Sequence, residues 1–370
     1  MRILIVPNAF KGGLSAQRAA QCIEEGLLKS SLEVQCDAIP IADGGDGTLD
    51  ILAGMLQAEI KSMEVIGPSQ QRIVARYGFM GDKKTGIIEL AEASGLAVVG
   101  QDHLRPEIAL TTGVGQLMNE LKGCKEILLG VGGSATTDGG VGILQELGLK
   151  FYKGNIPLHI NGILDIIQVD RIDASGIVFD TKIKIISDVE NYLLGSNGAV
   201  SVYGPQKGIE ELALYEKAMQ SWVKLVKAAT GIEIDQLKGG GASGGVPAGL
   251  SAFLNVKIVS GADYILKLGR FKQKLTNTDL VITTEGQIDS QSLQGKGPGK
   301  IAEVAVNEGV PTIGLCGSLE KGFDTERSPF EAVFSINSRF DSLEEAIGNT
   351  AENLANTAYN LGNLIAIQRQ

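Results

Sequence analysis

Residues 279–297 read DLVITTEGQIDSQSLQGKG. Leu280, Val281 and Ile282 make a short apolar run, the signature of a strand covered on both faces of a parallel sheet. The run passes at once into Thr283, Thr284 and Glu285, side chains able to bond a ligand. Asp289 and Ser290 follow, then a glycine-flanked lysine, Lys296. In open α/β sheets, ligands gather beyond the carboxyl ends of strands. This junction therefore delivers two carboxylates and a cation to the place where such folds carry chemistry. By itself the stretch also reads as a plain polar turn between a strand and a helix.

Four other junctions share that make-up. Arg2 to Val6 reads as a strand, the loop Pro7–Gly13 carries Lys11, and Ser15 can cap a helix striped by Ala16, Ala19, Ala20, Ile23 and Leu27. Val34 to Ile41 reads as a second strand and ends in Asp43-Gly44-Gly45-Asp46-Gly47-Thr48, ahead of a helix marked by Leu49, Leu52, Met55 and Leu56. Capping that helix would use one aspartate and leave the second over. Two aspartates in a glycine-rich turn also suit Mg²⁺, which takes a few carboxylates beside water and phosphate. Glu126 to Leu129 reads as a strand leading into GVGGSATTDGG, residues 130–140, and then a helix. Backbone N–H groups, hydroxyls and a helix N-terminus in that order form a recipe for phosphate, although the run is neither a Walker A motif nor GxGxxG. Ile183 to Ser187 reads as a strand running into Asp188-Val189-Glu190-Asn191. A second glycine cluster, residues 238–245 with Gly240, Gly241 and Ser243, feeds an apolar helix, which fits phosphate or nucleotide contact better than a tether.

A chain of 370 residues exceeds one average core, so two domains are expected. Strand–loop–helix units lie at both ends. Between them fall runs such as Met63–Ile66, Ile73–Met80 and Gly86–Leu90, whose turns suggest antiparallel pairing. The expected layout is an α/β domain built from 1–71 plus 271–370, with a mixed α/β domain inserted at about 72–270. The stripe Tyr215, Met219, Trp222 and Val226 on a long helix reads as core.

Thirty-three basic against 43 acidic residues give a net charge of −10, which argues against nucleic acid as partner but leaves an anionic small substrate open to local lysines. Cys22, Cys36, Cys124 and Cys316 are scattered without metal-ligand spacing and read as buried free thiols. No apolar run approaches the roughly 18 residues of a membrane span, and the N-terminal strand is too short for a signal peptide, so a reducing cytoplasm is expected. His103 and His159 lie outside every junction, and neither GxSxG nor HExxH occurs. Carboxylates, lysines, hydroxyls and glycine cradles remain, the kit for phosphoryl transfer, where catalysis is mostly positioning and charge neutralisation.

At these residues the chain resembles the type I glycerate kinases over essentially its whole length. PNAFKGGLSA is similar to the family's PDSFKGSLSA, and PIADGGDGT to its PVADGGEGT. GVGGSATTDGG, SDVENYLLGSNGA, YGPQKG, GGGASGG and TTEGQIDSQSLQGKGP follow in family order. The resemblance implies ATP-dependent phosphorylation of D-glycerate with Mg²⁺, 2-phosphoglycerate being the favoured product. It implies a Rossmann- or flavodoxin-like parallel-sheet domain beside a mixed α/β domain, with the active site in the cleft between them. The partner would be a small molecule, with no nucleic acid and no membrane; a homodimer is compatible with it. Asn8, Ala9, Tyr192, Ser243 and Thr284 depart from the family pattern, which bears on substrate preference more than on reaction class.

Residue chemistry and resemblance together assign roles. Lys11 and Lys296 neutralise charge on the phosphoryl group or the glycerate carboxylate. Asp46 and Asp289, with Glu285 beside them, hold Mg²⁺ directly or through water. Asp188 or Asp43 orients the substrate hydroxyl and accepts its proton. Gly132, Gly133, Ser134 and Thr136 receive nucleotide phosphates, with Gly240, Gly241 and Ser243 as further nucleotide contacts. A dehydrogenase of a small hydroxy acid and a non-catalytic binder of a sugar acid are the rival readings. The first calls for a GxGxxG directly after a strand with an acidic residue about 20 further on, of which the chain has no clean example, and the second has no need of paired carboxylates beside a lysine.

Overall fold

The computed structural model describes residues 1–10, 12–81, 84–100, 103–289, 292, 297–339 and 341–368. Contacts divide the chain into two compact units, Asp43–Gly261 and a unit formed by Met1–Ala42 with Ala262–Gln370. The second unit is thus discontinuous. The breaks fall at 42/43 and 261/262, where the sequence suggests 71/72 and 270/271. The early break has a plain cause: Glu59–Ile66 pairs antiparallel with Arg72–Met80, which binds this stretch to the inserted sheet.

In the discontinuous unit, five parallel strands stand in the order Ala332–Ser335, Thr312–Leu319, Leu280–Ile288, Arg2–Pro7, Gln35–Ala38. In the central pair Ile3–Val6 and Leu280–Ile282 are apolar and buried, as covering on both faces requires. One face packs Ile3, Ile5, Leu280 and Ile282 against Ile23 and Leu27 of the helix Ala16–Lys29 and Leu354, Ala358 and Leu361 of the helix Thr350–Ile367. Each of these isoleucines and leucines contributes roughly 1.5–3 kcal/mol on burial. Ser15 caps the first helix by accepting from the Arg18 N–H at 3.2 Å. The central strand runs to Ile288, well past the apolar run. Its register with Thr312–Leu319 continues to Ile288 opposite Leu319, so Thr283, Thr284 and Glu285 lie inside the sheet.

In the inserted unit, six strands stand in the order Val256–Val259, Lys182–Ile186, Glu126–Gly130, Thr85–Glu89, Arg72–Met80, Glu59–Ile66. The first four are parallel and the last two antiparallel, the pairing that the turn-rich stretch before residue 90 suggests. A separate antiparallel sheet of Ile156–Leu158, Lys150–Lys153 and Arg171–Asp173 has strands too short to show alternation. Tyr215, Met219, Trp222 and Val226 of the helix Leu212–Thr230 are buried in the core, as their spacing indicates.

Candidate active site

The four parallel strands of the inserted unit end level with one another: Glu89 lies opposite Gly130, Gly130 opposite Ile186, and Ile186 opposite Val259. The loops that follow leave a single sheet edge. Across that edge lies the turn Asp43–Thr48. The Gly132 N–H donates to the Gly44 carbonyl at 2.8 Å. A β-carbon on Gly44 would overlap the Ile186 carbonyl oxygen, and one on Gly132 would overlap the Gly45 Cα. One on Gly261 would stand 2.7–2.9 Å from the Asp43 backbone, and the Gly261 N–H donates to Asp188 Oδ1 at 3.0 Å. These backbone approaches need glycine, and they gather Asp43, Asp46, Asp188 and Gly132–Ser134 at one place. Asp43 and Asp46 are exposed and Asp188 is half-buried.

Neither aspartate of the turn caps the helix Thr48–Leu56. Its first residue follows Gly47, which offers no side chain, and the cap comes from Glu89 across the sheet edge. Glu89 accepts from the Gly47 N–H at 3.2 Å and the Leu49 N–H at 2.9 Å. Burial pushes its carboxyl up to about 7 against the pull of these two bonds, with the charges of Glu92 and Asp46 adding to the rise. Asp43 Oδ1 accepts from the Gly45 N–H at 2.9 Å and so shapes the turn itself. A β-carbon on Gly133 would overlap a carboxylate oxygen of Asp46.

The glycine run is rich in donors that the protein does not use. Among the described residues, the N–H groups of Gly133, Ser134, Thr136 and Thr137 have no acceptor, and the buried hydroxyls of Thr136 and Thr137 have no partner. Unpaired buried donors are rare, because each costs desolvation without return. Gly133 is exposed and Gly132 half-buried, whereas Ser134 and Thr136 lie behind them, 5% and 0% exposed. The far end of the run is pinned by Asp138. It is fully buried and accepts from the N–H groups of Thr111, Gly140 and Gly142 and from the Thr111 hydroxyl. Burial raises the Asp138 carboxyl and these bonds oppose it. Lys207 lies under the run at 2% exposure, donating to Ser134 Oγ at 2.8 Å and to the Thr136 carbonyl at 2.6 Å.

The second glycine cluster behaves differently. The Gly240 N–H donates to the Leu237 carbonyl and the Gly241 N–H to the Asn191 carbonyl, both at 2.9 Å, so neither is on offer to a phosphate. A β-carbon on Gly241 would overlap the Tyr192 carbonyl, and one on Gly244 the Thr136 carbonyl. These glycines let the loop pack against the segments that carry Asp188 and Thr136. Ser243 is held left-handed at φ 48°, and its hydroxyl is buried without a partner.

In the discontinuous unit, Ser292 joins two of the expected residues. Its hydroxyl donates to Glu285 Oε2 at 2.8 Å and lies 3.2 Å from Asp289 Oδ1, which also accepts from the Ser292 N–H at 2.9 Å. A β-carbon on Gly297 would stand 3.7 Å from both Glu285 Oε1 and Asn8 Nδ2. Thr283 and Thr284, read as ligand-binding side chains, instead donate their hydroxyls to the carbonyls of Val6 and Asn8, each at 2.7 Å. They staple neighbouring strands. Lys11, Ser290 and Lys296 lie outside the described residues.

Comparison with known proteins decides the family. The model of the glycerate kinase family matches residues 3–366. The chain belongs to the glycerate kinase family. It is 37% identical to the glycerate kinase of Halalkalibacterium halodurans over 93% of each chain. It is 35% identical to the glycerate 2-kinase of Escherichia coli K12, over 96% of this chain and 95% of that one. A crystal structure of a candidate glycerate kinase 2 from Salmonella typhimurium LT2 covers both chains fully, with a TM-score of 0.84 at 34% identity.

As a glycerate kinase family member the chain is an enzyme, a phosphotransferase with an alcohol group as acceptor, which leaves no place for the dehydrogenase or the binding-protein reading. Among the described residues no helix is long and apolar enough to cross a membrane. Two residues that the structure places beside this candidate site escape inspection of the sequence. Glu89 is the polar end of an apolar strand, and that position was its one visible signal. Lys207 stands in the motif YGPQKG, where a lysine reads as a solvated turn residue until its burial is known.

Proposed function

We propose that this kinase transfers the terminal phosphoryl group of ATP to a hydroxyl of D-glycerate, yielding 2-phosphoglycerate, with Mg²⁺ as its metal. The observation that carries the reading is the set of donors without an acceptor among the described residues, the N–H groups of Gly133, Ser134, Thr136 and Thr137 and the hydroxyls of Thr136 and Thr137, beside the exposed carboxylates of Asp43 and Asp46. Donors without protein acceptors suit an anion rich in oxygen, and carboxylates at the same edge suit a hydroxyl that must lose a proton.

In this scheme Gly132, Gly133 and Ser134 meet the phosphates, Thr136 supports them from behind, and Ser243 adds a hydroxyl. Gly240 and Gly241 shape the turn that holds Ser243. Asp188 or Asp43 accepts the proton of the attacking hydroxyl. Lys11 and Lys296, each set among glycines, neutralise charge on the phosphoryl group or the glycerate carboxylate. Of the candidate metal ligands, Asp46 stands in the inserted unit; separately, Asp289 and Glu285 share Ser292 in the discontinuous unit. Among the described residues no three His, Cys, Asp or Glu side chains form a cage. That suits an ion taking one or two carboxylates and otherwise water and phosphate. Bound Mg²⁺ would neutralise phosphate oxygens as charge shifts toward the leaving group. D-glycerate, ATP and Mg²⁺ mixed with the enzyme should release ADP, and phosphorus NMR should show 2-phosphoglycerate. A 3-phosphoglycerate signal would overturn the regiochemistry, and absence of ADP would overturn the reaction.

A further inference from the structure

Lys207 is the one buried lysine among the described residues. Its bonds go to a hydroxyl and a carbonyl, and the charge that acts on it is that of Asp138. Burial pushes its ammonium down to about 7, and Asp138 pulls the other way. A buried cation without an ion pair costs several kcal/mol, so a core lysine placed here for stability alone would be a poor choice against an apolar residue. Its two bonds suggest what it is for. In its ammonium form, the form that a nearby anion favours, Lys207 can only donate, so Ser134 Oγ then accepts from it at 2.8 Å, leaving the hydroxyl's own hydrogen to be donated elsewhere. The Thr136 carbonyl is likewise drawn toward Lys207, at 2.6 Å. In a trans peptide the carbonyl and the next N–H point in opposite directions, so the unpaired Thr137 N–H is turned away from the lysine.

We infer that Lys207 is a positioning residue: it sets the Gly130–Gly140 run to present hydrogens rather than oxygens to a bound anion, acting through Ser134 and the 136–137 peptide. This rests on the reading of that run as the phosphate cradle. The anion, a phosphate group, in turn stabilises the charge beneath the loop.

The test compares Lys207→Met, Ser134→Ala and the double variant in steady-state kinetics with ATP and D-glycerate varied separately, folding being checked by circular dichroism. Lys207→Met should raise the KM for ATP about 10- to 100-fold, the range of one charge-assisted hydrogen bond, and leave the KM for D-glycerate within about twofold. Ser134→Ala should add less in the Lys207→Met background than alone, because the lysine acts through that hydroxyl. A normal ATP KM in Lys207→Met beside a raised one in Ser134→Ala would refute the role of Lys207 and leave the cradle standing. Normal values in both would refute the cradle reading itself. Lys207→Gln, which keeps an N–H donor without the charge, serves if the methionine variant does not fold. Failure of both to fold would assign Lys207 to the fold and overturn the inference.

Discussion

Replacing Glu89 by glutamine isolates the cost of keeping a carboxyl at a closed sheet edge. Glu89 is 4% exposed and burial pushes its carboxyl from 4.5 up to about 7. The folded state therefore holds a proton that the unfolded chain releases between those two values. Stability from this source is full below pH 4.5 and is lost as the pH rises through 7. Linkage over that difference gives about 2.5 kcal/mol lost between pH 5 and pH 9. Glutamine does not titrate, so Glu89→Gln should lack this fall. Its amide oxygen still accepts one of the two N–H bonds, at Gly47 or Leu49, and the loss of the other is a penalty of about 1 kcal/mol that does not vary with pH.

The assay is urea unfolding followed by the fluorescence of Trp222, the chain's single tryptophan, fully buried in the same unit as Glu89. Wild type should lose stability relative to the variant steadily from pH 5 to pH 8 and then level off. The slope is the readout, and the fixed penalty only displaces the curve. Parallel curves across the range would mean that Glu89 titrates as in water, and the cap drawn from it to the helix Thr48–Leu56 would be wrong.

Gly132→Ala puts a β-carbon onto the Gly45 Cα and 2.8 Å from the Gly45 nitrogen. It should destabilise by about 1–3 kcal/mol and, by parting the aspartate turn from the glycine run, lower kcat/KM about 100-fold; wild-type ADP release would detach the turn from the site. Asp188→Ala or Asp43→Ala, whichever removes the base, should lower kcat by about 10²–10⁴-fold, and near-wild-type turnover in both would refute the assignment. Ser292→Ala frees Glu285 from Asp289, and the Mg²⁺ concentration for half-maximal rate should rise about 10- to 100-fold, as loss of a supporting bond to a metal ligand does. An unchanged Mg²⁺ titration would place the metal elsewhere.

Where an element's stability is local, its sequence shows it. Ser15 before an apolar stripe fixes the helix Ala16–Lys29, and the alternating turns before residue 90 announce antiparallel pairing. Reach is what stays hidden. The apolar run at Leu280 suggests three residues of strand, but pairing with Arg2–Pro7 reaches Thr284 and draws Thr283 and Thr284 into stapling roles, and pairing with Thr312–Leu319 carries the strand on to Ile288. The capping box at Ser342 starts only the helix Leu343–Gly348. Gly348 and Asn349 are weak helix formers, and the Thr350 hydroxyl takes up the Ala346 and Ile347 carbonyls, so the long helix begins afresh at Thr350.

The two glycine clusters show why a site is harder to read than a fold. On paper GVGGSATTDGG and GGGASGG make the same offer of backbone unshielded by β-carbons. The missing β-carbon permits two opposite uses: backbone may approach a ligand, or it may approach other backbone. Gly240 and Gly241 take the second course, their N–H groups spent on Leu237 and Asn191. In the first cluster the two uses divide along the run. Gly132 spends its N–H on Gly44 to bring the aspartate turn alongside and Ala135 spends its own on Ser94, whereas those of Gly133, Ser134, Thr136 and Thr137 find no acceptor among the described residues. What separates a cradle from a close-packed turn is therefore the fate of each N–H, a property of partners far away in sequence. Asp46 beside Gly133 and Lys207 beneath Ser134 are such partners. Removing either should disturb phosphate binding more than stability, whereas an alanine at Gly241, overlapping the Tyr192 carbonyl, should do the reverse.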